Sequence, residues 1–153
     1  MDFTITPVDT DTATALRMDI AGGRVAAERV VLDEPGAPCR QCLRPGEVGE
    51  LMVLFTYQPF RGDSPYAVPS PIYLHADPCT SYDRVTEVPP IARPGLRTVR
   101  SYDAGHRLLD GEVVPGAEIE ATIGQLLDDD RAAYLHVHSA TAGCFTCRVD
   151  RAA

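Results

Sequence analysis

The chain has 153 residues, 44% of them hydrophobic and 24% charged, so it is long enough to bury a substantial core as a single domain over residues 1–153. Its formal net charge is −8, and all 14 basic residues are arginine. This balance argues against a nucleic-acid partner, which requires clustered positive charge. The lack of lysine excludes Schiff-base chemistry and the lysine of a phosphate-binding loop.

We expect no targeting signal in the first residues. Residues 1–7 have neither the basic region nor the apolar run of a signal peptide. No apolar run approaches the roughly 18 residues of a membrane-spanning helix, so we expect no membrane partner and a cytoplasmic location. In a reducing compartment, the five cysteines are more typical of metal ligands or working thiols than of disulfides.

Prolines and glycines divide the first two thirds of the chain into short predicted strands and loops. Strands are predicted at 3–6, 24–32 and 51–57, whereas 12–17 is too mixed in character for an assignment. The prolines and glycines of residues 33–47 predict a loop, and this loop carries the first cysteine pair. Eight of the 36 residues from Pro59 to Pro94 are proline, which predicts a long loop with one strand at 72–75.

The last third predicts strands and one helix. Strands are expected at 96–102, 107–114, 133–138 and 144–150. The only convincing helix covers about 116–128, because an apolar stripe repeats with helical spacing at Ile119, Ile123, Leu126 and Leu127. The sequence therefore predicts an α+β fold with a mostly antiparallel sheet, one main amphipathic helix and a long Pro-rich loop.

Two Cys-x-x-Cys pairs are the strongest chemical motif. Each pair can present two thiolates to one ion, and together Cys39, Cys42, Cys144 and Cys147 would complete a four-thiolate zinc site. The 101 residues between the pairs far exceed the spacing of a compact zinc ribbon. If the last strand is regular, Cys147 instead faces away from Cys144 as a buried thiol, and a shared site requires a turn or bulge near Phe145.

Strand alternation gives a second constellation at the carboxyl end. A hairpin across residues 139–143 would pair His138 with Cys144, His136 with Thr146 and Tyr134 with Arg148. A cysteine beside histidine can form an activated thiolate, or the same groups can bind a catalytic metal. The alternative is a polar sheet face that is simply exposed to water.

His75 and Cys79 form a third, weaker set within the Pro-rich loop, as further ligands or as pocket-lining residues. Motifs of the common serine hydrolases, zinc metalloproteases and dinucleotide-binding enzymes do not occur, so no nucleotide cofactor is indicated.

Six segments occur in this order: PCRQCL at 38–43, YQPF at 57–60, SPY at 64–66, PIYLHADPC at 71–79, YLHVH at 134–138 and CFTCRVD at 144–150. Together they resemble a bacterial family catalogued as domain of unknown function 1203, from about residue 24 to the last residue. The resemblance implies no activity, but it places the Cys, His and Arg positions in one recurring pattern. The family often has arginine where His138 stands, which makes His136 the better candidate ligand.

Three functions stay open from the sequence. The first is a structural zinc site built from the two cysteine pairs, with His75, Cys79 and His136 as additional ligands. The second is an enzyme or thiol-redox protein acting on a small anion, with the site residues Cys144, His136, Arg148 and Arg40. The third is a binding module that uses the Tyr- and Pro-rich loop. Whether the protein is an enzyme, and which small molecule or protein it binds, is open at this stage.

Overall fold

We describe the fold from a computed structural model, which defines the structure of residues 2–153. Eight strands form two antiparallel sheets, and two α-helices pack on them. The α+β class predicted from the sequence is confirmed. The sequence did not indicate that the strands divide into two sheets.

The larger sheet contains five strands in the order β1-β8-β7-β5-β6. Their bounds are Phe3–Thr6 (β1), Leu96–Tyr102 (β5), Leu108–Pro115 (β6), Tyr134–Ser139 (β7) and Phe145–Arg151 (β8). Each of these strands lies within a residue or two of its predicted position. The smaller sheet has the order β2-β3-β4, with bounds Glu28–Val31 (β2), Leu51–Tyr57 (β3) and Ser70–His75 (β4).

One face of the larger sheet is covered by the predicted helix. A short 3-10 helix, Gly116–Glu118, leads into α2 at Ile119–Leu127, and the helix ends at Asp128. The predicted apolar stripe is confirmed, because its four members are all buried against the sheet. Val99, Val137 and Val149 supply the sheet side of this core.

A second helix, α1 at Thr10–Ala21, lies in the region that the sequence left unassigned. Asp9 caps it by accepting a hydrogen bond from the Thr12 amide at 2.8 Å, and Gly22 and Gly23 follow its last residue. Its buried residues, Ala13 and Ile20, pack with apolar residues of the smaller sheet.

The two sheets meet where β4 approaches β8. The Phe145 amide donates a hydrogen bond to the Ser70 hydroxyl at 2.9 Å, and the Phe145 ring lies 5.8 Å from that of Tyr57. The polar face of the larger sheet therefore turns toward the smaller sheet and α1 rather than toward open water.

The last hairpin differs in register from the prediction. β7 continues to Ser139, and His138 lies opposite Phe145 while His136 lies opposite Arg148. A bulge near Thr146 interrupts the alternation, so Phe145 packs beside the His136 ring whereas Cys147 points into the opposite core. The predicted pairs with Cys144, Thr146 and Arg148 are therefore wrong.

Candidate metal centre

Three cysteines and one histidine converge beside the smaller sheet. Cys39, Cys42, His75 and Cys79 place their ligand atoms within 4.8 Å of one another, and this set could hold a metal ion. We call it the Cys3His cluster. The Sγ atoms of Cys39 and Cys79 lie 3.8 Å apart, and Cys42 Sγ lies 3.7 Å from His75 Nδ1.

The first two ligands come from a tight turn in the loop before β3. The Leu43 amide donates a hydrogen bond to the Cys39 carbonyl at 2.8 Å, which closes the turn and brings the two thiols to one side. Leu43 has a left-handed backbone with φ of 54°, a conformation that costs energy outside glycine. Its fully buried side chain compensates by anchoring the turn in the core.

The turn is fastened to β4, which ends at the third ligand. The Arg40 amide donates to the Tyr73 carbonyl at 3.0 Å, and the His75 amide lies 3.5 Å from Cys39 Sγ. Backbone pairing therefore fixes the distance between the cysteine turn and His75. Cys79 follows four residues later and completes the cluster.

Glu50 sets the orientation of the His75 ring. His75 Nε2 lies 3.0 Å from a Glu50 carboxylate oxygen. A carboxylate at Nε2 keeps the proton on that nitrogen, so Nδ1 presents its lone pair toward Cys42. The Glu47 amide, which donates to Glu50, and the His75 ring together hold the pKa of the Glu50 carboxyl below its usual range.

Arg17 of α1 reaches the cluster from the other side. Its Nε donates to the His75 carbonyl at 2.9 Å, and its Nη2 lies 3.6 Å from Cys79 Sγ. A cation at this distance stabilises a thiolate. The helix that the sequence did not predict thus contributes directly to the surroundings of the cluster.

The cysteines of the cluster share hydrogen bonds through their thiols. Hydrogen bonds from the Cys42 and Cys79 thiols lower the pKa of Cys39, while the same contacts raise the pKa of Cys42 and of Cys79. A cation that enters the cluster would displace the thiol protons, as thiolate is the form that binds metal.

A polar cleft of about 570 Å³ gives access to the cluster. Cys42, His75 and Cys79 line it together with charged residues that include Glu47 and Asp77. Cys39 lies deeper, because it is fully buried. An ion can reach the ligands from this side.

The second cysteine pair lies apart from the cluster, so the predicted four-thiolate site is wrong. Cys147 is 1% exposed and packs with Val137 and Val149 in the core beneath α2. Burial raises the pKa of its thiol to about 12, as expected of an inert core cysteine. Cys144 precedes β8, and its amide donates to the Ser139 hydroxyl. The residues that converge with Cys39 and Cys42 instead are His75 and Cys79, which the sequence offered only as additional candidates.

The residues of the predicted enzyme site are distributed over two places. His136 and Arg148 lie opposite each other on β7 and β8. Arg40 is buried, and its guanidinium donates to the carbonyls of Phe145 at 2.5 Å and Pro38 at 2.6 Å. Their catalytic roles, with that of Cys144, stay predictions.

Two tyrosines of the Tyr- and Pro-rich region are held by the fold. Tyr82 is buried and donates to the Glu87 carbonyl at 2.8 Å, while Tyr73 belongs to β4. Tyr66 is the exposed one of the three. A binding function of this loop stays a prediction.

A family model described as a protein of unknown function, DUF1203, matches residues 36–151, well over half of the chain. The chain belongs to this family. The resemblance expected from the six sequence segments is thereby confirmed, and the matched range includes all four members of the Cys3His cluster. No curated protein and no solved structure matches the chain. Within residues 2–153, neither α-helix has the length and apolar character to cross a membrane.

Proposed function

We propose that the protein binds one zinc ion through Cys39, Cys42, His75 and Cys79, and that this ion holds the surrounding loops in place. The spacing of the ligand atoms carries the proposal. A zinc–sulfur bond of about 2.3 Å gives a tetrahedron whose sulfur atoms lie about 3.8 Å apart. The distance between Cys39 Sγ and Cys79 Sγ is 3.8 Å, whereas a disulfide requires about 2.05 Å.

The donor set selects the metal. Three soft thiolates and an imidazole suit zinc, whereas magnesium and calcium prefer oxygen ligands. Glu50, which binds the far nitrogen of His75, supplies the carboxylate that zinc-bound histidines usually have behind them.

The charges around the cluster also support an ion held by three thiolates. Zinc with three thiolates and a neutral imidazole carries a net charge of −1. Arg17 approaches Cys79, and the buried Arg40 is in the loop between two of the ligands. Among residues 2–153, Arg40 has no carboxylate partner, so a negative cluster nearby would offset the cost of burying its charge.

A structural role follows from the number of ligands. Four protein groups fill the tetrahedral positions of zinc, whereas a catalytic zinc keeps one position open for water or substrate. The ion would join the cysteine turn to the segment after β4, two stretches of chain without regular secondary structure.

The first prediction concerns metal content. Tag-free protein should carry about one zinc per chain by elemental analysis, and Cys79→Ser should lose most of it because a three-ligand site binds zinc far more weakly. Thiol counting on the same samples should show three cysteines that react only after chelation.

Cys144→Ser is the matched control, since it removes a cysteine of the other pair and should keep full zinc content. Wild-type protein with little metal and freely reacting thiols would overturn the proposal. Zinc loss in Cys144→Ser equal to that in Cys79→Ser would return the four-thiolate site to consideration.

A further inference from the structure

A second cleft, of about 400 Å³, lies on the polar face of the larger sheet and shares no lining residue with the cleft at the Cys3His cluster. Four parts of the chain enclose it. They are the connection from β1 into α1, the segment 57–61 at the end of β3, His106 in the turn between β5 and β6, and the β7–β8 hairpin. We call it the His136 cleft after the residue that lines its buried side.

His136 is a buried polar side chain with unused hydrogen-bonding capacity. It is 2% exposed, and its Nδ1 has no hydrogen-bond partner among residues 2–153. The rings of Phe60 and Phe145 lie 4.8 Å and 5.0 Å from the His136 ring. Burial lowers the pKa of His136 to about 3, with His138 and Arg148 adding smaller effects, so the imidazole is neutral at pH 7 and offers one donor and one acceptor. A buried polar atom without a partner is uncommon and indicates a site that water or a ligand completes.

Positive charge surrounds this imidazole. Arg61 and Arg148 line the cleft, as does the amino end of α1, where the helix dipole is positive. Arg148 lies over the Tyr134 ring at 4.1 Å and holds Asp150 with its Nε and Nη2. Asp9 is the one carboxylate among the lining residues, and both of its oxygens accept hydrogen bonds from Thr12. Arg148 is thus paired with Asp150, whereas Arg61 has no carboxylate within 4.0 Å among residues 2–153, so Arg61 is the guanidinium that the cleft offers to an anion.

The aromatic side chains that line the His136 cleft favour a ligand with a planar ring. Tyr57, Phe60, Tyr134 and Phe145 present aromatic surface to the cleft. Aromatic side chains pack well against a ring in stacked or edge-on geometry. Arginine guanidiniums can bind a carboxylate with two parallel hydrogen bonds.

We propose that the His136 cleft binds a small carboxylic acid with a planar ring, its carboxylate held by Arg61 and its ring lying between the aromatic side chains near His136. The site is independent of the zinc proposal, because the two clefts are built from different residues. It would make this protein a binder of aromatic acids, whatever its metal content.

The test uses the protein as purified, with benzoate as the probe and benzamide, its neutral counterpart of the same shape, as the matched control. Titration calorimetry should detect benzoate binding, with benzamide weaker by about tenfold because it cannot pair with arginine. In a two-dimensional NMR titration, the resonances that shift should belong to Phe60, Tyr134, His136 and Arg148.

Variants separate this site from nonspecific attraction. Arg61→Gln should weaken benzoate binding about tenfold, as loss of a charge-assisted hydrogen bond does, without a change in zinc content. Arg24→Gln removes the same charge near the far end of α1, where Arg24 pairs with Asp19, and should leave binding unchanged. The NMR titration of the wild type keeps the test valid if Arg61→Gln folds poorly.

Four results would each overturn the proposal. One is equal binding of benzamide and benzoate, which would exclude anion recognition. Another is binding of inorganic phosphate without binding of benzoate, which would exclude recognition of the ring. The third is a set of shifted resonances away from this cleft, and the fourth is no shift at millimolar benzoate.

Discussion

At the scale of single residues, β7 buries more polar atoms than its sequence reveals. His136 and His138 are 2% and 4% exposed, and each has one ring nitrogen without a hydrogen-bond partner among the described residues. The buried hydroxyl of Thr146 on the neighbouring β8 also has no partner there. Alternation along the sequence places these histidines on the polar face of the sheet. It does not show that α1, β3 and the segment after β3 cover that face, because the covering elements come from distant parts of the chain.

The buried histidines make stability depend on pH. Burial lowers the pKa of His136 to about 3 and that of His138 to about 4, from a usual value of 6.5. Nearby cationic groups, chiefly Arg40, Arg100 and Arg148, act in the same direction. Below pH 6.5 the unfolded chain binds protons that the folded protein does not, so stability is lost as pH falls from 6.5 toward 4. Each histidine contributes a slope of roughly 1.4 kcal/mol per pH unit in this window.

Urea denaturation between pH 7 and pH 4.5 measures this slope. His136→Gln should reduce it by roughly 1.4 kcal/mol per pH unit relative to the wild type. Thr146→Val changes a buried polar group that does not titrate, so its slope should equal that of the wild type. Identical slopes in His136→Gln and the wild type would contradict the neutral, buried state of this histidine.

The ligands of the Cys3His cluster could be predicted only in part. Cys39 and Cys42 were identified by their spacing, and His75 and Cys79 were candidates of lower rank. Two equal Cys-x-x-Cys motifs suggest one shared site. A bulge at Thr146 and the core packing of Cys147 separate the second pair from the first, and only the folded hairpin defines both features.

At the scale of elements, the regular strands and α2 could be predicted and α1 could not. α1 is rich in threonine, which has low helix propensity, and this masked its periodicity. The signals that could have revealed it are Asp9 as an N-cap, apolar residues at 13, 16 and 20, and Gly22-Gly23 as a stop. The register of the last hairpin could not be predicted, because the loop between its strands lies one residue later than the sequence indicated and a bulge near Thr146 interrupts the pairing.

Substitution of glycine by alanine should have opposite effects on stability at two positions, Gly116 and Gly124. At Gly116, where β6 turns into α2, an added Cβ would overlap the Arg93 carbonyl oxygen, so the backbone would have to move. Gly116→Ala should therefore destabilise the protein by roughly 3 kcal/mol. Gly124 is inside α2, where a Cβ would have no neighbour within 4 Å.

Gly124→Ala should stabilise the protein by about 0.5–1 kcal/mol, because alanine loses less conformational entropy in a helix. Thermal and urea unfolding of the two variants give both values. A destabilised Gly124→Ala variant would contradict the open space at this position of α2, and a Gly116→Ala variant as stable as the wild type would contradict the close packing where β6 turns into α2.

At the scale of the whole molecule, the Cys3His cluster joins α1, the cysteine turn and the end of β4. Chelation should therefore lower the melting temperature of the wild type by several degrees and expose the segments 36–46 and 76–80 to protease. The core beneath α2 lies elsewhere and should stay protected. Limited proteolysis with mass spectrometry, with and without chelator, locates the cuts.

Cys79→Ser supplies the comparison for the chelation experiment. It should already melt at the temperature of chelated wild type and should not respond further to chelator. Cuts that appear first beneath α2 would contradict a local role of the ion.

The distance along the chain between the ligands has a consequence for folding. Cys39 and Cys79 enclose a stretch of about 40 residues, so an ion bound by both acts as a crosslink. By the entropy of loop closure, a crosslink over such a loop disfavours the unfolded chain by about 4 kcal/mol, comparable to a disulfide of the same span. Unlike a disulfide, this crosslink forms without an oxidant and releases when the ion is withdrawn. Free zinc concentration, rather than redox potential, would then set the stability of the protein.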